Sequence, residues 1–449
     1  GPMEGFHALL YFGIQRLRGG VRPGLIEAAA RLLEGSAEEM RAHAGRRLSA
    51  LHGEPDPFTW LTRQPLVERD ELREAVRQAR RNRTARSVEW RSTSGSTGTP
   101  FTLVKDVEMA AQMDATMWAL YRWHGLVPGA AHARFWGMPQ TTGRRLRKRA
   151  ADWLMHRQRM DAFALSHGRA VRFFRSLRRL GPAYAYGYPT LIRHFVEECA
   201  AAGLDGRELE MNAVVSTGEI LSPETRSALE AFFGCRVVNE YGCTESGILA
   251  FECEAGTMHL IPSATYPEVV RHDGTPAPVG EMGEVVVSDL YGRILPLVRY
   301  RLHDRGVRTE EPCACGRELP RLRVDSGRID AFIQTPHRGP VYDAILAYTV
   351  PKTVQRFRAY QVARDHLTVD LMPGAGFDPE TTPEECRARW EEALGPGMRV
   401  STRVVGHIPY EVSGKLRYFV PMEGPAQTPP SGRTPHPEGG GQQRTPYSD

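Results

Sequence analysis

Apolar residues recur three and four apart along GLIEAAARLLEGSAEEMRAHAGRRLSALHG, positions 24 to 53, so residues 3 to about 87 read as mainly helical. From about 88 to 326 the pattern alternates. Helical stretches such as TLIRHFVEECAAAGL and SPETRSALEAFFG sit between short β-branched runs, NAVVST, RVVNEY and EVVVSDL. Ser222 suits the cap of the second helix and Pro223 its first turn. Strands alternating with helices predict an α/β fold. A second unit begins near Ser326 to Asp330. It carries the strand-like RFRAYQVARDHLTVDLMP, the helical TPEECRARWEEAL and the strand-like RVSTRVV, a small α+β arrangement. From Gly424 the chain is Pro-, Gly- and Gln-rich with almost no apolar content, and disorder is expected there. The expected division is a large domain over 3–326 (3–87 a helical lead-in), a small C-terminal lid over 327–423 and a tail over 424–449. Gly1 and Pro2 read as a protease-cleavage scar and are left out of this division.

Composition adds limits. With 449 residues, 41% hydrophobic and 25% charged, the chain can bury a large core in more than one domain. No apolar run approaches the roughly 20 residues that span a bilayer, and no secretory leader is visible. A cytoplasmic protein without a membrane partner is the expectation. Net charge is +5, with basic runs at 77–86 and 143–159. These read either as solvated helix faces or as a surface for a polyanion, such as the phosphates of coenzyme A or an acidic carrier protein. No recognised nucleic-acid motif accompanies the charge, which argues against that partner. Seven cysteines, an odd number, argue against a disulfide framework. Cys253-x₅-His259 and Cys313-x-Cys315 supply three thiolates and an imidazole, a closed tetrahedral zinc set. The alternative is reduced, unliganded thiols on two loops. Cys243 reads as a small pocket-lining residue rather than a reactive thiol.

Five polar segments carry candidate chemistry. RSTSGSTGTPF (91–101) follows the strand-like SVEW, and is either a surface loop or a cradle of amides and hydroxyls for phosphate. NEYGCTESG (239–247) reads as a glycine-bearing turn after a buried strand, and LVRYRLHDRG (297–306) as another polar turn around an aspartate. GRID (327–330) lies at the presumed junction, and VSGKLR (412–417) puts a lysine on a Ser-Gly turn. In this order and spacing the set resembles the adenylate-forming superfamily of acyl-CoA synthetases, nonribosomal adenylation domains and luciferases. LTRQPLVERDELRE, YGYPTLIRHFVEE and CACGRELPRLRVDSGRID resemble its phenylacetate–CoA ligase branch, and most closely the capsule-biosynthesis and coenzyme F390 synthetase-like subgroup. The resemblance spans roughly 55–420.

That resemblance implies ATP- and Mg²⁺-dependent activation of a carboxylic acid as an acyl-adenylate, followed by transfer to a thiol, most simply coenzyme A. Ser94, Gly95, Ser96, Thr97, Gly98 and Thr99 match the phosphate loop, although Phe101 stands where a lysine is usual. Gly218 and Glu219 in STGE match the adenine side and Tyr241 the aromatic over adenine. Thr244 matches the α-phosphate contact and Glu245 the Mg²⁺ carboxylate. Asp304 matches the ribose acid, Arg328 an arginine near ribose and phosphate, and Asp330 the hinge, followed here by Ala331. Lys415 matches the lysine bridging carboxylate and α-phosphate. Some members of the branch carry a structural zinc, which fits Cys253, His259, Cys313 and Cys315. Trp136, Tyr186 and Tyr188 either shape the acyl pocket or pack in the core. Bland alternatives stand beside these roles: a surface carboxylate for Glu245, an ion pair with Arg301 or Arg305 for Asp304, a surface lysine for Lys415. Two other functions stay open. One is transfer to an amine, hydroxyl or carrier protein in secondary-metabolite or polysaccharide biosynthesis. The other is a non-catalytic nucleotide binder. A homodimer is also open, because relatives are often dimers.

Overall fold

A computed structural model describes residues 2–81, 88–92, 102–136, 142–161, 167–218, 221, 223–326, 332–351, 353–374, 376–408 and 419–422. Five helices lead: α1 (Pro2–Arg18), α2 (Pro23–Leu33), α3 (Ala37–His52), α4 (Pro57–Arg63) and α5 (Arg69–Arg81). The helical stretch read at 24–53 is thus two helices. Ser36 opens the second with a capping box: the Glu39 amide donates to Ser36 Oγ at 3.1 Å, and the Ser36 amide to Glu39 Oε2 at 2.8 Å. Gly53 closes it in the left-handed region at φ 73°.

Strands β1 (Val88–Ser92) and β2 (Thr102–Asp106) pair antiparallel, with Ser92 opposite Thr102. There follow α6 (Val107–Tyr121), β3 (His132–Trp136), α7 (Thr142–Leu154), β4 (Arg157–Asp161), α8 (His167–Leu180), β5 (Tyr184–Gly187) and α9 (Pro189–Ala201). Then come β6 (Ala213–Thr217), α10 (Pro223–Phe233), β7 (Arg236–Cys243), β8 (Gly247–Glu252), β9 (Met258–Leu260), β10 (Thr265–Val270), β11 (Met282–Asp289), β12 (Tyr300–Thr309) and β13 (Arg321–Ser326). From β3 onward these strands form one eleven-stranded sheet, ordered β10-β11-β12-β13-β9-β8-β7-β6-β5-β3-β4. The fold is mixed α/β, as the alternating pattern predicts.

The half from β4 to β7 is parallel, and β8 turns antiparallel against β7. Its strands follow the order 4-3-5-6-7. Helices α8, α9 and α10 pack with Phe135, Ala185, Val214 and Val237 on one face. Helices α2 and α6 pack with Tyr184, Ala213, Val215 and Val238 on the other. The chain moves to one side of β3 and then returns across it, so the winding reverses between β3 and β5. In open α/β sheets, a crevice for ligands lies outside the carboxyl ends of the strands at such a switch point. Here those ends are Trp136 and Gly187.

The C-terminal residues build separate sheets. β14 (Phe332–Thr335) and β15 (Gly339–Tyr342) form a hairpin before α11 (Ala344–Thr349). β16 (Val354–Ala363), β17 (His366–Pro373), α12 (Thr382–Leu394), β18 (Arg399–Val404) and β19 (Phe419–Val420) follow. Their four strands lie in the order β18-β17-β16-β19, around a core holding Phe357, Leu371 and Trp390. No helix among the described residues is long and apolar enough to cross a membrane.

Candidate functional site

Strand β7 runs through buried Val237, Val238 and Glu240 to the carboxyl end of the parallel half, and the chain then turns at Thr244–Ser246 into β8. The glycine-bearing turn read at 239–247 is therefore mostly strand, with a tight reversal at its end. Tyr241 donates its hydroxyl to Asp304 Oδ2 at 2.9 Å, so two segments 63 residues apart meet. Asp304 is not on a turn, as its polar surroundings suggested, but on β12. Glu284 pairs with Arg305 and Val286 with Arg301, which leaves Leu302, His303 and Asp304 in a bulge opposite Val285. His303, immediately before Asp304, has φ 60°, and Arg299, before the strand, has φ 50°. Left-handed backbone at non-glycine residues is strained and needs firm support. Arg299 supplies it: its side chain is 1% exposed, and Nη1 donates to the carbonyls of Thr62 at 3.2 Å and Gln64 at 3.0 Å. Arg301 pairs with Glu284 and Glu68, at 2.5 and 2.8 Å. Bulges of this kind re-aim side chains beside functional sites.

Glu245 is buried, and its Oε1 accepts from Arg69 Nη2 at 3.1 Å and from the Tyr300 hydroxyl at 3.3 Å. Arg69 opens α5, so the helical lead-in reaches the site. Beside it, burial and the Glu245 charge push the Cys243 thiol well above its ordinary range. A thiol so held is not a nucleophile. Strand β2 packs here through Leu103, in a cluster with Leu249, Tyr300, Tyr241 and Cys243. Lys105 on the same strand donates to Asp289 Oδ2 at 2.6 Å, with both side chains buried. The hairpin flanking positions 93–101 is thus fastened to the end of β11.

Across β7, Trp136 stacks on Tyr188 at 4.2 Å and on Tyr186 at 5.8 Å between ring centroids. Gly218 sits against them at φ 81°, and a Cβ there would lie 2.9 Å from Tyr188 Cε1, so only glycine serves. Tyr186 and Tyr121 donate to the two oxygens of Glu240, at 3.3 and 3.0 Å. Burial pushes the Glu240 carboxyl up, against hydrogen bonds from Thr217, Tyr121 and Tyr186. The three aromatics left open by the sequence are therefore one stack at the β3–β5 crevice. Ser94 to Thr99, Glu219, Ser222, Arg328, Asp330 and Lys415 lie outside the described residues.

Cys253, His259, Cys313 and Cys315 converge, with all four donor atoms within 4.8 Å of one another. Cys253 Sγ lies 3.7 Å from Cys313 Sγ, and Cys315 Sγ 3.4 Å from His259 Nε2. Tetrahedral zinc with ordinary bond lengths requires about 3.8 Å between sulfurs and about 3.6 Å from sulfur to nitrogen. His259 Nδ1 lies 3.0 Å from the Leu319 carbonyl; donating there leaves Nε2 free as a ligand. Burial pushes the Cys313 thiol up, but hydrogen bonds from the Cys315 amide, Thr257, Cys315 and His259 outweigh it and bring it down to about 6.

Sequence reading missed Arg69, Tyr300, Glu240 and the arginines of β3 and β4. Arg69 lay within LTRQPLVERDELRE and Glu240 within NEYGCTESG, but neither segment reveals a partner. Only the register that sets Tyr186 and Glu240 on one face does so.

Residues 153–290 match the AMP-binding enzyme family. The phenylacetate–coenzyme A ligase of Thermus thermophilus is 25% identical over 289 residues, 63% of this chain and 64% of that protein. The phenylacetate–coenzyme A ligase of Pseudomonas putida is 26% identical over 175 residues, 38% and 39% of the two chains. The matches thus span less than two thirds of these relatives' own lengths. A solved structure of 2-hydroxyisobutyryl-CoA ligase in its postadenylation state superposes with TM-score 0.54 at 18% identity, over 87% of this chain and 91% of that one. That likeness concerns the fold. Residues 153–290 are thus of the AMP-binding type, and the chain is distantly similar to phenylacetate–coenzyme A ligases.

Proposed function

We propose that this protein activates a carboxylic acid with ATP and Mg²⁺ and passes the acyl group to coenzyme A. A carboxylate oxygen attacks the α-phosphorus, the α–β anhydride bond breaks and pyrophosphate leaves. The thiol of coenzyme A then attacks the acyl carbon and AMP departs. The single observation that carries this reading is the Tyr241–Asp304 contact at the end of β7, one strand from the crevice that glycine and aromatics line. Asp304 is a carboxylate acceptor suited to paired ribose hydroxyls, and Tyr241 offers a ring for adenine. Glu245, fixed by Arg69 and Tyr300, is the hard oxygen donor that Mg²⁺ takes, and the metal would neutralise phosphate charge. Positioning and electrostatics do most of the work in such chemistry. In this reading residues 94–99 hold the β- and γ-phosphates, Gly218 and Glu219 line the adenine, Thr244 and Arg328 meet the α-phosphate and ribose, and Lys415 bridges carboxylate and α-phosphate. The small C-terminal unit turns about Asp330 as a lid between the two half-reactions.

The test is pyrophosphate release across aryl, aliphatic and amino acids, with and without coenzyme A. Release that depends on one acid class and rises with coenzyme A is expected. Release indifferent to any acid would remove the reading, and acid-dependent release indifferent to coenzyme A would assign another acceptor.

The Cys₃His cluster is assigned to a structural zinc, supported by its donor set and spacing. It would join the β8–β9 turn to the loop between β12 and β13, away from the chemistry. The purified chain should contain about one zinc ion per molecule by elemental analysis, as a closed four-ligand site does. Cys313→Ser should release it and lower the melting temperature while the enzyme still binds ATP. A metal-free wild-type protein with unchanged stability would refute the assignment.

A further inference from the structure

The outer edge of the parallel half holds a group of cations that adenylation, as described above, does not use. Parallel pairing sets Arg134 of β3 beside Arg159 of β4, and His132 beside Arg157. All four share the sheet face that α7 covers with Lys148 and Asp152. Asp152 accepts from Arg157 Nε at 2.5 Å and from Arg159 Nε and Nη2 at 2.9 and 2.7 Å. The Arg157 and Arg159 side chains are only 9% and 2% exposed. His132, fully buried, is held well below its usual range by burial and by Arg157 and Arg134, so it adds no charge. Among the described residues, Asp152 is the carboxylate hydrogen-bonded to this group, and Glu240 adds a longer-range attraction to Arg134. Two buried nitrogens, Arg134 Nε and Arg159 Nη1, have no hydrogen-bond partner among the described residues. Buried charge left unpaired is costly, and a fold keeps it where something else completes the set. Burial pushes the Lys148 ammonium down to about 8, and Arg159, Arg134 and Arg157 add to the shift.

Location says what completes it. The Arg134 guanidinium lies 5.1 Å from the Trp136 ring centre and 4.9 Å from that of Tyr186. Arg134, Trp136 and Tyr186 are all half-buried, so the cluster opens through these rings at the β3–β5 crevice. From Tyr186 one hydrogen bond leads to Glu240, the neighbour of Tyr241.

We propose that Arg134, Lys148, Arg157 and Arg159 receive a second anionic group on the acid substrate. The site would then select carboxylic acids that bear a carboxylate, sulfonate or phosphate at the end remote from the reacting carboxyl. This inference rests on the adenylation reading for the role of the first carboxyl. Guanidinium forks match such groups in geometry as well as charge. The Trp136–Tyr186–Tyr188 stack would cover the apolar skeleton between the two charges. The phosphates of coenzyme A share the same chemistry, and the test separates the two sources.

Calorimetric titration of the full chain without ATP compares 4-sulfophenylacetate and 4-carboxyphenylacetate with 4-methylphenylacetate, and succinate with butyrate. Coenzyme A is titrated separately. At least one of the doubly charged acids should bind about tenfold or more tightly than its singly charged partner, as a charge-assisted hydrogen bond requires. Arg134→Gln should abolish that margin and leave coenzyme A binding unchanged. Should Arg134→Gln fail to fold, Lys148→Gln, which leaves the Asp152 hydrogen bonds in place, is expected to cut the margin severalfold. Equal affinity within every pair, no binding of any doubly charged acid, or a loss confined to coenzyme A overturns the proposal. Pyrophosphate release is read in parallel. Its absence, with charge-dependent binding intact, would count against adenylation and not against the anion site.

Discussion

Lys415→Ala should lower acid-dependent pyrophosphate release by about 100- to 1,000-fold while ATP affinity changes little. A cation placed where negative charge concentrates in the transition state contributes on that scale, because the site excludes water and needs no rearrangement. Two features single out this lysine. It lies in VSGKLR, beyond all the other candidate motifs along the chain, and the strand that follows, β19, pairs in parallel with β16 in the small C-terminal sheet. A lid built on that sheet would carry the lysine to the nucleotide for the first half-reaction and away for the second. Single-turnover adenylate formation measures the effect directly, and a melting temperature equal to wild type excludes a folding defect. A rate within threefold of wild type would exclude Lys415 from the bridging role and weaken the two-position lid with it.

The largest stability effect is expected at Lys105. Its ammonium and the Asp289 carboxylate are 2% and 0% exposed. Asp289 Oδ2 also accepts from the Leu297 amide at 3.1 Å, while Oδ1 has no partner among the described residues. Burial pushes the Asp289 carboxyl up even with Lys105 beside it. Lys105→Met strands that carboxylate and should cost about 3–5 kcal/mol in chemical denaturation at neutral pH. The double variant Lys105→Met/Asp289→Leu should recover most of the loss, since removing both charges also removes the desolvation cost. The sign of the pH dependence follows. In Lys105→Met the folded-state pKa of Asp289 rises further above its unfolded value, so the native state binds the proton more tightly. The deficit should therefore shrink as pH falls through that raised pKa and widen as pH rises. A single variant no less stable than wild type would contradict the buried pair. Because β2 leads directly out of positions 93–101, the single variant should also weaken ATP binding, even where folding is preserved by low temperature.

Much of this architecture is legible in the sequence. Helices α9, α10 and α12 and strands β6, β7 and β11 carry apolar patterns strong enough to fix their type, because each buries one face or both against a core. Strand β12 is a different case. YRLHDRGVRT shows no alternation, since its charged side chains are satisfied by Glu284 and Glu68 and the bulge shifts register midway. A strand held by ion pairs and a bulge reads as a polar turn. The basic run at 143–159 misleads in another way. Read as a single surface, it divides into α7 and β4, and β4 turns Arg157 and Arg159 inward. Among site residues, Tyr241, Asp304, Gly218 and Glu245 sit in short motifs whose type and order can be read directly. Arg69, Tyr300 and Tyr121 cannot be found that way, since each acts through a partner far away in sequence, as Arg69 does with Glu245 across 176 residues. The metal-type cluster was visible because cysteine and histidine are rare enough for spacing to speak.

The lead-in segment is sewn to the far end of the large sheet. Val67 bridges Tyr300, Arg301 pairs with Glu68, and Arg299 donates to the carbonyl of Thr62, 237 residues away. During synthesis α4 and α5 must therefore wait, partly unsupported, until residues near 300 have left the ribosome. Domains generally fold as units as they emerge, and contacts of such long sequence separation form late. A nascent chain stopped before β12 should thus be protease-sensitive in α4 and α5, and should depend on chaperones that a chain released after β13 no longer needs.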